Sequence, residues 1–141
     1  MASPSPKRRP AAASANVRES PSSFVGRAGD LSAIQARFDD GARLVTVLSP
    51  GGMGKTRVAT RFARLHGDDF AAHGGGGAWF CDLADVTSVD ALCGVVVAEL
   101  GVLLECRADE RALIDDVGRA IARRKRVLIV LDNLEHIIPG V

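Results

Sequence analysis

The sequence predicts an α/β fold: a three-layer sandwich with helices on both faces of a mostly parallel sheet. Three observations predict it. Short apolar runs recur at residues 44–48, 78–83 and 127–131, each bounded by turn or polar residues and of strand rather than helix length. The segments around them carry apolar side chains at spacings of three and four, the period of a helix with one buried face. The first run passes through a glycine-rich turn straight into one of those segments, and strands alternating with helices make parallel units.

That first junction reads Leu44-Val45-Thr46-Val47-Leu48-Ser49-Pro50-Gly51-Gly52-Met53-Gly54-Lys55-Thr56-Arg57. A strand, a glycine-rich turn and Lys-Thr at a helix start form the layout of a phosphate-binding loop. Backbone N–H groups of such a turn make an anion nest, and the helix N-terminus adds partial positive charge. Gly51, Gly52 and Gly54 let the backbone approach phosphate oxygens. Lys55 can reach the β- and γ-phosphates, and the Thr56 hydroxyl can ligate Mg²⁺. The candidate nucleotide-binding run is thus Pro50, Gly51, Gly52, Met53, Gly54, Lys55, Thr56 and Arg57. The strict pattern G-x-x-x-x-G-K-[ST] would place a Gly at position 49, where this chain has Ser49 followed by Pro50. Pro50 pushes Ser49 toward extended backbone, which suits the loop only if that position needs no positive φ. The bland alternative is a glycine-rich turn with a solvated Lys.

The other elements follow in order. Residues 1–23 are rich in Ser, Pro and Ala and are read as a disordered tail, with a folded unit over residues 24–141. A short helix starts at Asp30, with Leu31, Ile34 and Phe38 on one face, and turns out at Asp39-Asp40-Gly41. The helix after the loop is expected to run from Lys55 to His66, burying Val58, Phe62 and Leu65, with Gly67 as its cap; Arg57, Arg61 and Arg64 are read as its solvated face. Residues 68–77, with glycines at 74–77, read as a mobile loop. Trp79 lies in an apolar run and is read as core rather than as a base-stacking group. Thr87 or Ser88 caps a helix carrying Leu92, Val95, Val96 and Leu100 and closing near Gly101. A last helix over residues 109–124 carries Leu113, Ile114, Val117 and Ile121, with acids early and bases late as the helix dipole favours.

The final run, Val127-Leu128-Ile129-Val130-Leu131, ends at Asp132-Asn133. Ligands of parallel α/β sheets bind at the carboxyl ends of strands, so Asp132 is placed beside the loop, where it can hold Mg²⁺ directly or through water.

Composition limits the alternatives. Hydrophobic residues make up 47% and charged residues 25% of the 141, enough for one cored domain. The net charge of +1 is uneven: Lys7, Arg8, Arg9 and Arg18 precede the first acid, and the remainder holds 14 basic against 17 acidic side chains. Such a body lacks the basic surface of a nucleic-acid binder, so direct DNA binding is not expected. No apolar run approaches membrane-spanning length. Cys81, Cys93 and Cys106 are widely spaced and fit reduced thiols of a cytoplasmic protein.

Three motifs together, Phe24-Val25-Gly26-Arg27, Pro50 to Arg57, and Val130-Leu131-Asp132-Asn133-Leu134-Glu135-His136, resemble the signal-transduction ATPases with numerous domains (STAND class). These are P-loop NTPases related to AAA+ and NB-ARC proteins, and the nearest likeness is to bacterial transcriptional regulators of the AfsR and LuxR-like type. The resemblance covers residues 24–138. It implies ATP or ADP with Mg²⁺ as ligands, Val25, Gly26 and Arg27 against the adenine, Gly51 to Thr56 on the phosphates, and Asp132 on the metal. Lys55, Asp132 and Asn133 are the implied catalytic set. Asn133 stands where many relatives carry a catalytic Glu; an amide orients water but is a poor base, so slow hydrolysis and a switch role follow. Glu135-His136 fits a helix start, a loop contact or catalysis. Relatives continue with a further strand and a helical lid, so the domain is expected to be incomplete at its C-terminus, with an exposed sheet edge open to protein partners or self-association. The competing expectation is an interaction module without useful nucleotide turnover.

Overall fold

A computed structural model describes residues 16–17, 26–103 and 109–137. Its elements are α1 (Ala28–Asp39), α2 (Lys55–Ala71), β1 (Gly77–Asp82), α3 (Val89–Glu99), α4 (Glu110–Ala122) and β2 (Val127–Asp132), with short 3-10 turns at Ala72–Gly74 and Leu134–His136. β1 and β2 pair in parallel, Gly77 opposite Val127 through Asp82 opposite Asp132. The expected α/β class with a parallel sheet is therefore found.

Strand alternation divides the core into two clusters. Trp79, Cys81 and Leu83 of β1 and its exit pack with Cys93, Val96, Val97 and Leu100 of the α3 region and Val117 of α4. Ala78 and Leu128 face the other way, onto Val58, Phe62 and Ala63 of α2 and Ile34 of α1. Helices thus cover both faces of the sheet, in three layers. Trp79 is core, as expected: it is 7% exposed, its Nε1 donates to Gly76 O at 2.6 Å, and the Arg124 guanidinium lies 5.3 Å from its ring centroid. Cys81 and Cys93 are buried free thiols; Cys106 lies outside the described residues.

Helix ends follow local chemistry. Asp109 Oδ1 accepts from Ala112 N–H at 2.7 Å, and Ser88 Oγ from Ala91 N–H at 3.2 Å, each a side-chain N-cap. Gly41 and Gly101 follow α1 and α3 with positive φ. There Ala42 N–H bonds to Arg37 O and Val102 N–H to Val97 O, the 6→1 closure of a Schellman cap.

Four expectations are corrected. First, residues 44–48 form no strand. Val45 and Val47 pack on the α2-side cluster, while Leu44 and Leu48 are 81% and 77% exposed. Alternate side chains are thus partly buried, but the run has no ladder partner among the described residues; apolar character alone does not make a strand. Second, α2 does not stop at Gly67 but continues to Ala71. The extra turn places Phe70 on the α2-side cluster, in edge contact with Phe38 and under Arg126. Gly67 lies inside the helix, where a Cβ would sit 3.6 Å from Ala78 Cβ. Third, Leu65 is 51% and Ile114 45% exposed, and Ala63 and Ala120 take the buried positions. Fourth, the glycine run is packed rather than loose. A Cβ at Gly75 would fall 1.9 Å from Phe70 O and 2.8 Å from Arg126 O, and Gly76 N–H donates to Arg126 O at 2.8 Å.

Two residues of the stretch read as a tail touch the folded body. Asn16 Oδ1 accepts from Phe80 N–H at 2.6 Å and its Nδ2 donates to Phe80 O at 2.8 Å, and also to the Glu99 carboxylate. The carboxamide thereby takes the place of a neighbouring strand's peptide at the β1 edge away from β2. Val17 packs on the α2-side cluster. Residues 1–15 and 18–25 lie outside the described residues.

Candidate functional site

The site is assembled where the 49–56 turn meets the carboxyl ends of β1 and β2. Gly54 precedes α2 with φ 80°, ψ 29°, a left-handed conformation that costs Gly little and other residues more. Gly52 also has positive φ, at 75°, and Ser49 is not among the residues with positive φ. The missing glycine at position 49 therefore asks nothing of the backbone that Ser49 cannot give. Met53 N–H closes a turn on Pro50 O at 3.3 Å.

α2 begins at Lys55 with no side-chain cap, so its first N–H groups have no intrahelical acceptor and face the turn as donors. Lys55 Nζ donates to Ser49 O at 2.9 Å. This bond folds the ammonium back over the loop, between the turn and the helix. Pro50, Gly51, Gly52 and Met53 are exposed, as is Arg57 in the first turn of α2.

The decisive contact is between two motifs 76 residues apart. Thr56 Oγ1 donates to Asp132 Oδ2 at 2.7 Å. A hydroxyl and a carboxylate in contact at a helix N-terminus suit Mg²⁺, which takes one or two protein oxygens together with phosphate oxygens and waters. Among the described residues no group of three His, Cys, Asp or Glu side chains could hold a metal; a phosphate-bridged Mg²⁺ needs no such cage.

Arg27 also reaches the loop. Its guanidinium donates to Met53 O and pairs with Asp30 Oδ2 at 2.9 Å, so the start of α1 is tied to the loop tip. Gly26 precedes it with φ 80°. Val25 lies outside the described residues.

At the other side of the site, Asn133 Nδ2 donates to Asp82 Oδ1 at 2.8 Å. Asp82 closes an apolar strand in the same way as Asp132, but nothing in the local sequence marks it as the partner of Asn133. Glu135 is exposed in the 3-10 turn after β2. The site thus joins Arg27, Met53, Ser49 and Lys55 on one side and Thr56, Asp132, Asn133 and Asp82 on the other.

Residues 37–141 match the family described as AAA domain. The chain belongs to that family. An uncharacterized protein of Mycobacterium tuberculosis is 35% identical over 123 residues, 87% of this chain and 29% of that protein; an uncharacterized protein of Mycobacterium bovis matches to the same extent. A candidate HTH-type transcriptional regulator of Mycobacterium tuberculosis is 35% identical over 98 residues, 68% of this chain and 10% of the regulator. The chain therefore spans less than a third of the length of these relatives. No solved structure matches it significantly. Among the described residues of this AAA domain, no helix is long and apolar enough to cross a membrane.

Proposed function

We propose that this AAA domain binds ATP or ADP with Mg²⁺ and acts as the nucleotide-dependent switch of a STAND-type signalling protein. The observation that carries the reading is the Thr56–Asp132 contact, which joins the residue after the loop lysine to the acid at the end of β2. Gly51 to Thr56 take the phosphates through backbone N–H groups, and Lys55 supplies the counter-charge to the β- and γ-phosphates. Thr56 and Asp132 hold Mg²⁺, which when bound neutralises phosphate charge. Arg27, fixed to Met53 O, links the adenine-side Val25-Gly26-Arg27 segment to the phosphate loop. Asn133 orients water without being a strong base, so turnover is slow and the bound nucleotide persists, as a switch requires.

Similarity to a candidate HTH-type transcriptional regulator supports a place in gene regulation, with DNA contact made outside this domain. A second reading, an interaction module without useful nucleotide binding or turnover, draws on the exposed Leu44 and Leu48, which a protein partner could cover.

Titration with a fluorescent ATP analogue separates the two. The first reading expects saturable binding that weakens at least about tenfold in Lys55→Ala, the loss of one charge-assisted phosphate contact. Equal affinity in both proteins contradicts it.

A further inference from the structure

β1 stands at one edge of the two-stranded sheet. Leu83 N–H donates to Asp132 O at 3.0 Å, so the backbone groups of Leu83, Cys81 and Trp79 turn toward β2. Those of Ala78, Phe80 and Asp82 turn outward, because the hydrogen-bonding groups of successive strand residues alternate sides. Phe80 is the middle of that outer row. Asn16 occupies both of its groups: Phe80 N–H donates to Asn16 Oδ1 at 2.6 Å, and Asn16 Nδ2 donates to Phe80 O at 2.8 Å. Asn16 Nδ2 also donates to the carboxylate of Glu99, the last residue of α3, and Val17 beside it packs on the α2-side cluster. The two residues form a clasp across the edge, held on both faces of the sheet.

The strand under the clasp is suited to pairing. Gly77-Ala78-Trp79-Phe80-Cys81-Asp82 contains two aromatic residues and no Lys, Arg or Pro. Proteins blunt strand edges with such residues, with bulges, or with a covering segment; among the described residues the cover here is Asn16 with Val17. The outer row is also self-complementary. Turned about a two-fold axis at Phe80, a second β1 lies antiparallel, with Phe80 opposite Phe80 and Ala78 opposite Asp82. Each Phe80 then exchanges N–H and C=O with its twin, the same two groups that Asn16 holds. This register sets aromatic rings across from each other and no carboxylate opposite another, both of which favour the pair.

We propose that the β1 edge is a self-association surface, which a second copy of this chain occupies when the Asn16 clasp opens. Asn16 and the second copy's strand compete for the same N–H and C=O of Phe80, so the closed clasp keeps the chain monomeric. Two clasps open for each dimer formed, which makes the association sensitive to the strength of this one side-chain contact. The inference stands apart from nucleotide binding, since none of these residues belongs to the phosphate loop.

The test is sedimentation velocity of the full chain over a dilution series, with hydrogen exchange of the Phe80 amide read at the same concentrations. Asn16→Ala is expected to form a dimer where the wild type is monomeric, with a dissociation constant lower by at least about tenfold, because no clasp has to open in either copy. In that variant the Phe80 amide exchanges fast in the dilute monomer and slows as the dimer forms. Glu99→Ala removes one bond of the clasp and leaves Phe80 untouched. It shifts the dissociation constant in the same direction by a smaller factor, and it carries the test if Asn16→Ala does not fold. Equal dissociation constants in the wild type and the variants overturn the proposal, as does the absence of a dimer from both variants. A dimer whose Phe80 amide exchanges as fast as in the monomer also overturns it, by putting the contact elsewhere, as on Leu44 and Leu48. So do open-ended aggregates, since a closed two-fold pair uses up the edge.

Discussion

At the scale of single residues, Asn16 makes a paired long-range contact with β1. One carboxamide satisfies both the N–H and the C=O of Phe80, groups that would otherwise stand open on a strand edge. Asn16→Ala leaves them without that partner and is expected to cost about 1–3 kcal/mol, read as a lower urea midpoint with an unchanged slope. An unchanged midpoint would show that water replaces Asn16 at no cost. Cys81 gives a second residue-level expectation. Burial, and then the nearby Glu99 charge, raise its thiol from the ordinary 9.0 to about 11. The folded chain therefore holds this proton after the unfolded chain has lost it. That contribution to stability is intact below about pH 9 and falls as pH rises toward 11. Denaturation midpoints across that window, compared with Cys81→Ala, check the sign: the wild type should lose more stability than the variant.

At the scale of elements, most of the fold was legible. Periodicity located α1, α3 and α4, Ser88 and Asp109 announced their helices through short polar side chains, and the continuous apolar runs before Asp82 and Asp132 are the two strands. What failed was local inference about glycine. Gly67 reads as a helix cap, yet it sits within α2 because Ala78 lies against it and Phe70 has a core to enter one turn later. The run at residues 74–77 reads as loose, yet Gly75 and Gly76 fill a junction that admits no Cβ. Close approach by a distant segment leaves no mark in local sequence. The strand expected at 44–48 failed for a related reason, since pairing depends on a neighbour that the run itself does not specify. Gly67→Val tests the packing account. Its branched side chain would push α2 off β1, costing about 1–3 kcal/mol by overpacking; a variant as stable as the wild type would mean that the helix has room there. The approach of the glycine-rich loop to Asp132 was legible because each carries its chemistry in adjacent residues. The Asp82–Asn133 hydrogen bond was not, because its two residues stand 51 positions apart.

At the scale of the whole molecule, the phosphate loop, α2 and both strand ends converge on one place, so a ligand bound there should stabilise the fold. Mg-ADP at a hundred times its dissociation constant should add about 2.7 kcal/mol, seen as a rise in melting temperature that falls by about half or more in Lys55→Ala. A rise of equal size in that variant would put the nucleotide elsewhere. The central claim, that Thr56 and Asp132 hold one Mg²⁺ shared with the phosphates, is tested most directly by the metal dependence of mant-ADP affinity in the wild type and in Asp132→Ala. The account predicts that Mg²⁺ tightens binding in the wild type and that this gain disappears in Asp132→Ala, leaving the affinity measured in EDTA nearly unchanged. An identical gain from Mg²⁺ in both proteins would contradict it.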